Sequence, residues 1–475
     1  MKYSKLSILA LSAATFISAC NSKLDLKPAD SLDDNSAITE GNVRILANGM
    51  YERAQELEYY GRDFMVVTDV GGNDMKITPS NSNRFIYEFQ YMYSPLLSPQ
   101  TKTWQNAYRV ANQASVIIDK LPTTENTAGA KGEAYFMRAL AHFDLTRRYT
   151  RPYSLNKADA DKPNTGVVLV MAAIDDPGNY KPARATLNAT YDAIISDLKA
   201  AQQTAPDTKP GTAGVFRGSK DAATALLTRA YLYKEDWANV IKEATSLLGG
   251  KYPLWDGSNY LANFTSDNAT SEDIFALRFL APENRGSNNF GNIYLPADGS
   301  ATGGYGDIRL TDGFMNLLEA GDTRKAITQN YAGSNYLIKW IGNGQGLTGM
   351  ANVKVLRISE VLLNRAEAYA EQGNLSLAVI DVNTLRAKRG LAEFTDEANV
   401  KAEIKKERRL ELVGEGHGMT DIFRKNDKRS IKDADAILPQ TPDITTDNYR
   451  IAYPIPQIEI DANANIEQNP GYQKN

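Results

Sequence analysis

The side chains that most often carry catalysis or bind transition metals are scarce in this 475-residue chain. There is one cysteine, Cys20, and two histidines, His142 and His417. His142 falls in an apolar, alanine-rich stretch at 133–145, where a packed or capped imidazole is expected rather than a ligand. His417 stands between Gly416 and Gly418 in a helix-terminating turn. A zinc site needs partners at ligand spacing, and neither histidine has them. No GxSxG elbow, GxxxxGK[ST] loop or EF-hand loop occurs. Glu411 and Glu415 are four residues apart and could share a helix face. Hydrolytic pairs are arranged in space and not in sequence, so the expectation for these two is capping and ion pairing with Arg408, Arg409 and Arg424. Residues 344–349 spell a formal GxGxxG after the strand-like YLIKWI. A dinucleotide site would continue through one helix into a strand ending in an acid about 20 residues on. Here VKVL and two successive helical patterns follow, so a surface loop is expected. These readings predict no catalytic group, metal or cofactor.

The lone thiol points to a different chemistry. Lys2 and Lys5 precede an apolar stretch, 6–17, broken only by Ser7, Ser12 and Thr15, and then by the small residues Ser18 and Ala19. That order is a secretory signal peptide, and it falls short of the roughly 20 apolar residues a spanning helix needs. Ile17-Ser18-Ala19-Cys20 looks like a bacterial lipobox, in which the cysteine becomes the first residue and carries the lipid. At about 0.8 kcal/mol per buried CH2, several acyl chains anchor a protein without any spanning segment. The expectation is therefore a cleaved leader at 1–19, a lipidated Cys20 and a polar linker over 20–36. Removing 1–19 moves the formal charge from −4 to −6. A nucleic-acid partner would call for a basic face, and none is indicated.

Helical periodicity appears at 37–55, 104–121, 131–149, 187–204, 221–248 (two helices joined near Asp236), 359–372, 375–389 and 399–413. Long Gly-, Asn-, Ser- and Pro-rich connections separate them at 71–103, 150–186, 205–220, 249–349 and 414–475; connections of that length usually do work. Residues 226–235 and 362–371 share the pattern LLxRAxxYxE, with a weaker copy at 136–144. The alanine after each arginine lets a neighbouring helix approach closely. In the two better copies a second helix follows at once, which is the layout of tetratricopeptide pairs. The copies lie much further apart than about 34 residues, so large insertions must interrupt the pairs.

Taken in order, several longer motifs resemble the SusD/RagB family of outer-membrane nutrient-binding lipoproteins of the Bacteroidetes. They are LDLKP (24–28), the helix at 133–149, Pro182-Ala183-Arg184 with Tyr191 and Asp197-Leu198, and VLRISEVLLNRAEAYAEQG (355–373). VNTLRAKRG (382–390), KKERRLELVGEGHGMTDIFR (405–424) and YPIPQIEIDANANIEQNPGY (453–472) complete the set. Gly418 departs from the family, which often has Arg there. The resemblance implies a mostly α fold: one domain at 37–475, its halves meeting near 248–249, with four interrupted tetratricopeptide-like helix pairs as scaffold and loop insertions forming the ligand face. It also implies a lid over a SusC-like TonB-dependent transporter at the cell surface, serving polysaccharide utilisation by capturing oligosaccharides, or peptides in some branches. Family members are binding proteins and not enzymes. An envelope scaffold holding only protein partners is a further alternative.

The ligand residues are not part of the shared motifs, so candidates come from side-chain chemistry. Flat rings suit the apolar faces of pyranoses, and planar amides suit their hydroxyls. The insertion at 71–103 offers Asn73, Asp74, Asn81, Asn83, Arg84, Tyr87, Tyr91 and Tyr93; that at 282–349 offers Asn284, Arg285, Asn288, Asn289, Tyr294, Tyr305, Tyr331, Tyr336 and Trp340. Trp104 and Trp237 are expected in the core, while Trp255 and Trp340 remain open.

Overall fold

The computed structural model describes residues 38–96, 98–437 and 443–472. The expected leader (1–19), Cys20 and the linker (20–36) lie outside the described residues.

The chain is mostly α-helical, as expected. The first helices are α1 (Val43–Ala54), α2 (Asp63–Val70), α3 (Ser98–Lys120), α4 (Glu125–Tyr149), α5 (Leu187–Thr204), α6 (Lys220–Lys234) and α7 (Trp237–Leu247). After the long insertion come α8 (Ile358–Glu371), α9 (Leu375–Lys388), α10 (Val400–Leu412) and α11 (Gly418–Arg424). Local chemistry fixes several ends. Ser219 Oγ accepts the Ala222 N–H at the start of α6, and Thr186 Oγ1 accepts that of Ala189 at the start of α5. Glu235 adopts φ +59° and stops α6, so that α7 begins two residues later. Gly373, at φ +80°, does the same between α8 and α9.

Packing follows chain order. α1 lies on α3, α3 on α4, α4 on α5, α5 on α6, α6 on α7, α7 on α8 and α8 on α9, with α10 closing against α8. The repeated motif shows why. Ala139, Ala230 and Ala366 are all buried at these contacts, but the arginine before each does more. Arg138 on α4 makes a two-pronged pair with Asp197 on α5 (2.8 and 2.7 Å). Arg229 on α6 grips Glu360 on α8 (2.6 and 2.5 Å), and Arg365 on α8 grips Asp381 on α9 (2.9 and 2.7 Å). Such fork-to-fork pairs fix orientation as well as distance.

One helix escapes the periodicity argument. α2 (DFMVVTDV) is buried along its whole length, so its apolar run carries no 3.6-residue alternation. Its end meets the start of α11 backbone to backbone. A Cβ on Gly418 would stand 3.3 Å from Asp69 Cα, and one on Gly72 would stand 3.0 Å from Gly418 Cα. The Gly416 N–H donates to the Asp69 carboxylate (3.2 Å), so the turn is held there by a buried side chain of α2.

Strands are short and pair in antiparallel twos: β1 (Met75–Ile77) with β3 (Ile308–Leu310), β2 (Asp273–Leu277) with β6 (Val353–Arg357), β4 (Thr328–Tyr331) with β5 (Ser334–Leu337), and β7 (Arg429–Ser430) with β8 (Asp443–Ile444). The first two ladders join distant segments.

A buried ion network ties the long insertion to the last helices. Arg357 reaches Glu272 (2.8 Å), Glu411 (2.9 Å) and Glu415 (2.6 Å), and Arg389 reaches Glu272 and Glu411 (both 2.8 Å). Arg324 meets Glu407 (2.7 Å), and Lys339 meets Glu415 (2.5 Å). The Trp255 ring lies 5.2 Å from the Arg357 guanidinium and that of Tyr260 4.8 Å from Arg389, so Trp255 is a core residue. Burial pushes the Glu411 carboxyl up, yet Arg389 and Arg357 together hold it well below the usual carboxylate range. Glu411 and Glu415 are thus ion-paired, but not with the expected partners. Arg408 pairs with Asp421, Arg409 with Asp74 and Arg424 with Glu367. α10 ends at Leu412, and Gly414 and Gly416, both at positive φ, turn Glu415 back toward Arg357.

His142 is fully buried and its Nε2 accepts the Val170 N–H (3.1 Å). Burial, aided by Arg138, pushes its imidazole down to about 3.

Three outcomes follow. Glu411→Ala takes one buried carboxylate from each of Arg357 and Arg389, so urea denaturation is expected to show a loss of about 3–5 kcal/mol. Removing the exposed Lys120–Asp175 pair should cost under about 1 kcal/mol. The unfolded chain takes up a proton at His142 near pH 6.5 while the native fold resists it, so stability is full above that pH and falls as pH drops. Between about pH 7 and 5 this one residue accounts for roughly 2 kcal/mol. Melting curves of His142→Gln should show a shallower acid slope than those of the parent protein.

Candidate functional site

The insertion at 282–349 forms a cleft of about 320 Å³, at the lower end of volumes used for small ligands. Its walls are segments 284–292, 303–305 and 346–348. Main-chain bonds hold them together. Gly291 N donates to Gly349 O (2.8 Å), Tyr305 N to Asn292 O (2.8 Å) and Gly304 N to Pro296 O (2.7 Å). The glycines are required by space: a Cβ on Gly291 would stand 1.8 Å from Trp340 O, and one on Gly349, at φ +68°, 2.6 Å from Asn292 N.

Side chains are set with equal economy. The Asn289 carboxamide donates to Asn284 Oδ1 (2.7 Å) and Thr348 O (3.0 Å), and its Oδ1 accepts the Arg285 N–H (2.9 Å). Asn284 Oδ1 is thereby engaged, and its Nδ2 has no partner among the described residues. Asn292 donates to Gly286 O (2.9 Å), while its own Oδ1 is buried without a donor. Tyr305 contributes the cleft's one aromatic ring. The Arg84 guanidinium lies 3.8 Å from that ring's centre, held by the buried Asp307 (3.4 Å), which also accepts the Ser82 N–H (2.9 Å). Arg62 to Asn288 (2.9 Å) and Arg285 to Gln55 O (2.8 Å) tie the rim back to the start of the helical stack.

Of the expected ligand residues, Asn284, Asn289 and Tyr305 line this cleft and Arg84 backs it. The others do not line it. Tyr91 is buried, its hydroxyl on Gly71 O (2.5 Å), and Tyr93 stacks on Tyr453 with ring centres 4.1 Å apart. Trp340 is 0% exposed, donates its indole N–H to Gly414 O (3.0 Å) and packs against Phe264 and Phe290. These three rings are corrected to packing residues: long insertions need a core of their own, and large rings with a polar tip supply it. Asn73 accepts the Ser430 N–H (2.6 Å) and Asp74 pairs with Arg409 (2.8 Å). Both line a second cavity, about 210 Å³, between α10 and α11. Sequence reasoning missed Ser287, Asn292, Thr348 and the cleft's glycines. The signal was present in the GxGxxG, which is a loop as expected and whose Gly346-Leu347-Thr348 forms a wall.

Glu319, Glu403 and Glu407 place carboxylate oxygens within 4.8 Å of one another. Arg386 and Lys406 already occupy the cluster, and the hydrogen bond from Arg386 holds Glu319 at about 2. It is an ion-pair network.

Fold and site together define a helix-stack scaffold whose insertions build a polar, glycine-lined cleft. Residues 316–472 match the family described as the SusD family, and residues 23–232 match one described as starch-binding associating with outer membrane. Two relatives from Formosa agariphila are SusD-like protein P2 (23% identical, covering 91% of this chain and 93% of that one) and SusD-like protein P38 (20%, 99% and 100%). A SusD superfamily protein from Bacteroides thetaiotaomicron superposes with a TM-score of 0.81 at 27% identity, over 91% of this chain and 100% of that one. A putative sugar binding protein from Bacteroides vulgatus gives 0.80 at 28%, over 91% and 98%. The chain belongs to the SusD/RagB family.

Gly291→Ala forces a methyl group against the Trp340 carbonyl and is expected to cost about 1–3 kcal/mol. At Gly249 a Cβ meets nothing within 4 Å, so Gly249→Ala should stay within about 0.5 kcal/mol of the parent protein. Thermal melts of the two variants make the comparison.

Proposed function

We propose that this protein is a lipid-anchored outer-membrane binding protein. It captures oligosaccharides at the cell surface and delivers them to a SusC-like TonB-dependent transporter, binding without turnover. Residues 37–475 act as one unit tethered through Cys20. No helix among the described residues is long and apolar enough to cross a membrane, and the leader with its lipobox-like end supplies the attachment.

The observation that carries this reading is the composition of the cleft. Sugars present hydroxyls that both donate and accept hydrogen bonds, together with C–H faces that lie against aromatic rings. The cleft offers amide, hydroxyl and main-chain groups around one tyrosine, and Arg84 and Asp307 fix that ring in place before any ligand arrives. Such preorganisation saves ordering entropy on binding. The matches described as starch-binding and as a putative sugar binding protein support the same reading.

Calorimetry of the mature protein against an oligosaccharide panel is expected to find a binder, and Tyr305→Ala is expected to weaken it at least about tenfold, or 1.4 kcal/mol. Heat from peptides with none from any glycan would overturn the reading.

A further inference from the structure

Among the described residues, no charged side chain lines the cleft. The wall consists of Asn284, Ser287, Asn289, Asn292, Tyr305 and Thr348, with Leu347 and glycines. The cavity between α10 and α11, by contrast, is lined mostly by acids and bases. Charges close to the cleft are already engaged. Arg84 is paired with Asp307, and Arg285 donates to Gln55 O. Arg62 pairs with Asp63 (2.7 Å), and Asp298 accepts the Ser300 N–H (2.9 Å). None of these side chains lines the cleft.

Hydrogen-bond polarity points the same way. Asn292 is 6% exposed, keeps its Nδ2 on Gly286 O and leaves its Oδ1 without a donor. Asn284 Nδ2 offers a donor, and the exposed Ser287 hydroxyl serves either role. A neutral hydroxyl array supplies donors and acceptors together. A carboxylate or sulfate supplies acceptors only, and it sheds hydration on entry with no counter-charge to replace it.

We infer that the cleft selects uncharged sugar chains and discriminates against uronates and sulfated sugars. This rests on the oligosaccharide-capture reading and narrows its substrate class.

The test compares neutral gluco-, xylo-, manno- and galacto-oligosaccharides with oligogalacturonides and carrageenan fragments, by calorimetry on the mature protein. Measurements are made at about 50 and about 500 mM NaCl, which separates charge-driven from neutral binding. The expected result is that every binder is neutral, that its affinity changes less than about twofold between the two salts, and that Tyr305→Ala abolishes it. Ser287→Lys places a cation on an exposed part of the wall and should raise affinity for oligogalacturonide at least about threefold at low salt. If an acidic or sulfated chain binds tenfold tighter than every neutral one, with salt-sensitive affinity lost in Tyr305→Ala, this inference falls while oligosaccharide capture stands. If neutral binding persists undiminished in Tyr305→Ala, the assignment to this cleft is overturned. If no glycan binds at all, both readings fall together.

Discussion

An arginine with no water around it must have its charge answered from within the protein, and Arg357 is 1% exposed. Its position makes the answer architectural. It stands at the junction of β6 and α8, where the long insertion returns to the helical stack. Its carboxylate partners come from the strand-side residue Glu272, from α10 (Glu411) and from the turn after α10 (Glu415). Arg389, at the end of α9, shares two of those partners. None of these segments can shift without leaving a buried charge unpaired, a penalty far above that of a lost surface contact. The insertion is therefore clamped to the last helices by the same groups that clamp those helices to each other. Everything built on the insertion, including the cleft, inherits that rigidity.

The scaffold was legible in the sequence to the extent that its helices have one wet face. Where a face is exposed, the apolar residues recur with helical spacing, and α5, α7 and α9 fall close to where that spacing puts them; α6 and α8, buried nearly all round, were marked by the repeated LLxRAxxYxE instead. α2 has no wet face, and its apolar run carries no period to read. The arginine of the repeat was visible, but its partners, Asp197, Glu360 and Asp381, lie from 16 to 131 residues away, and one chain gives no means of pairing residues over such distances. The same limit misdirected the expectation for Glu411 and Glu415. Nearby arginines were assigned to them because they were nearby, whereas the turn at Gly414 and Gly416 aims them inward.

The cleft was legible only as composition. Amides and rings gathered in the insertion at 282–349 marked the segments that line it, yet an aromatic side chain serves a loop's own core as readily as a ligand. Tyr91, Tyr93 and Trp340 went to the core, where the hydroxyl of Tyr91 and the indole N–H of Trp340 found main-chain carbonyls. Tyr305 stayed at the cleft because Arg84 and Asp307 hold it there. The GxGxxG was expected to be a surface loop, because a strand and two successive helices follow it where a dinucleotide site needs one helix leading into a strand. What it marked was a backbone free to approach other backbones closely, and that freedom is what the wall at 346–348 uses.

The frame of the cleft is made of main-chain bonds and glycines, and most of the side chains facing into it contribute nothing to the ion network that keeps the protein folded. Stability and recognition are thus written in separate sets of residues. Exchanging Ser287 or Leu347 leaves Arg357 and its carboxylate partners untouched. Solved structures at 27–28% identity keep this shape across most of their length, and the cleft wall is the part of it that can vary without disturbing the clamp.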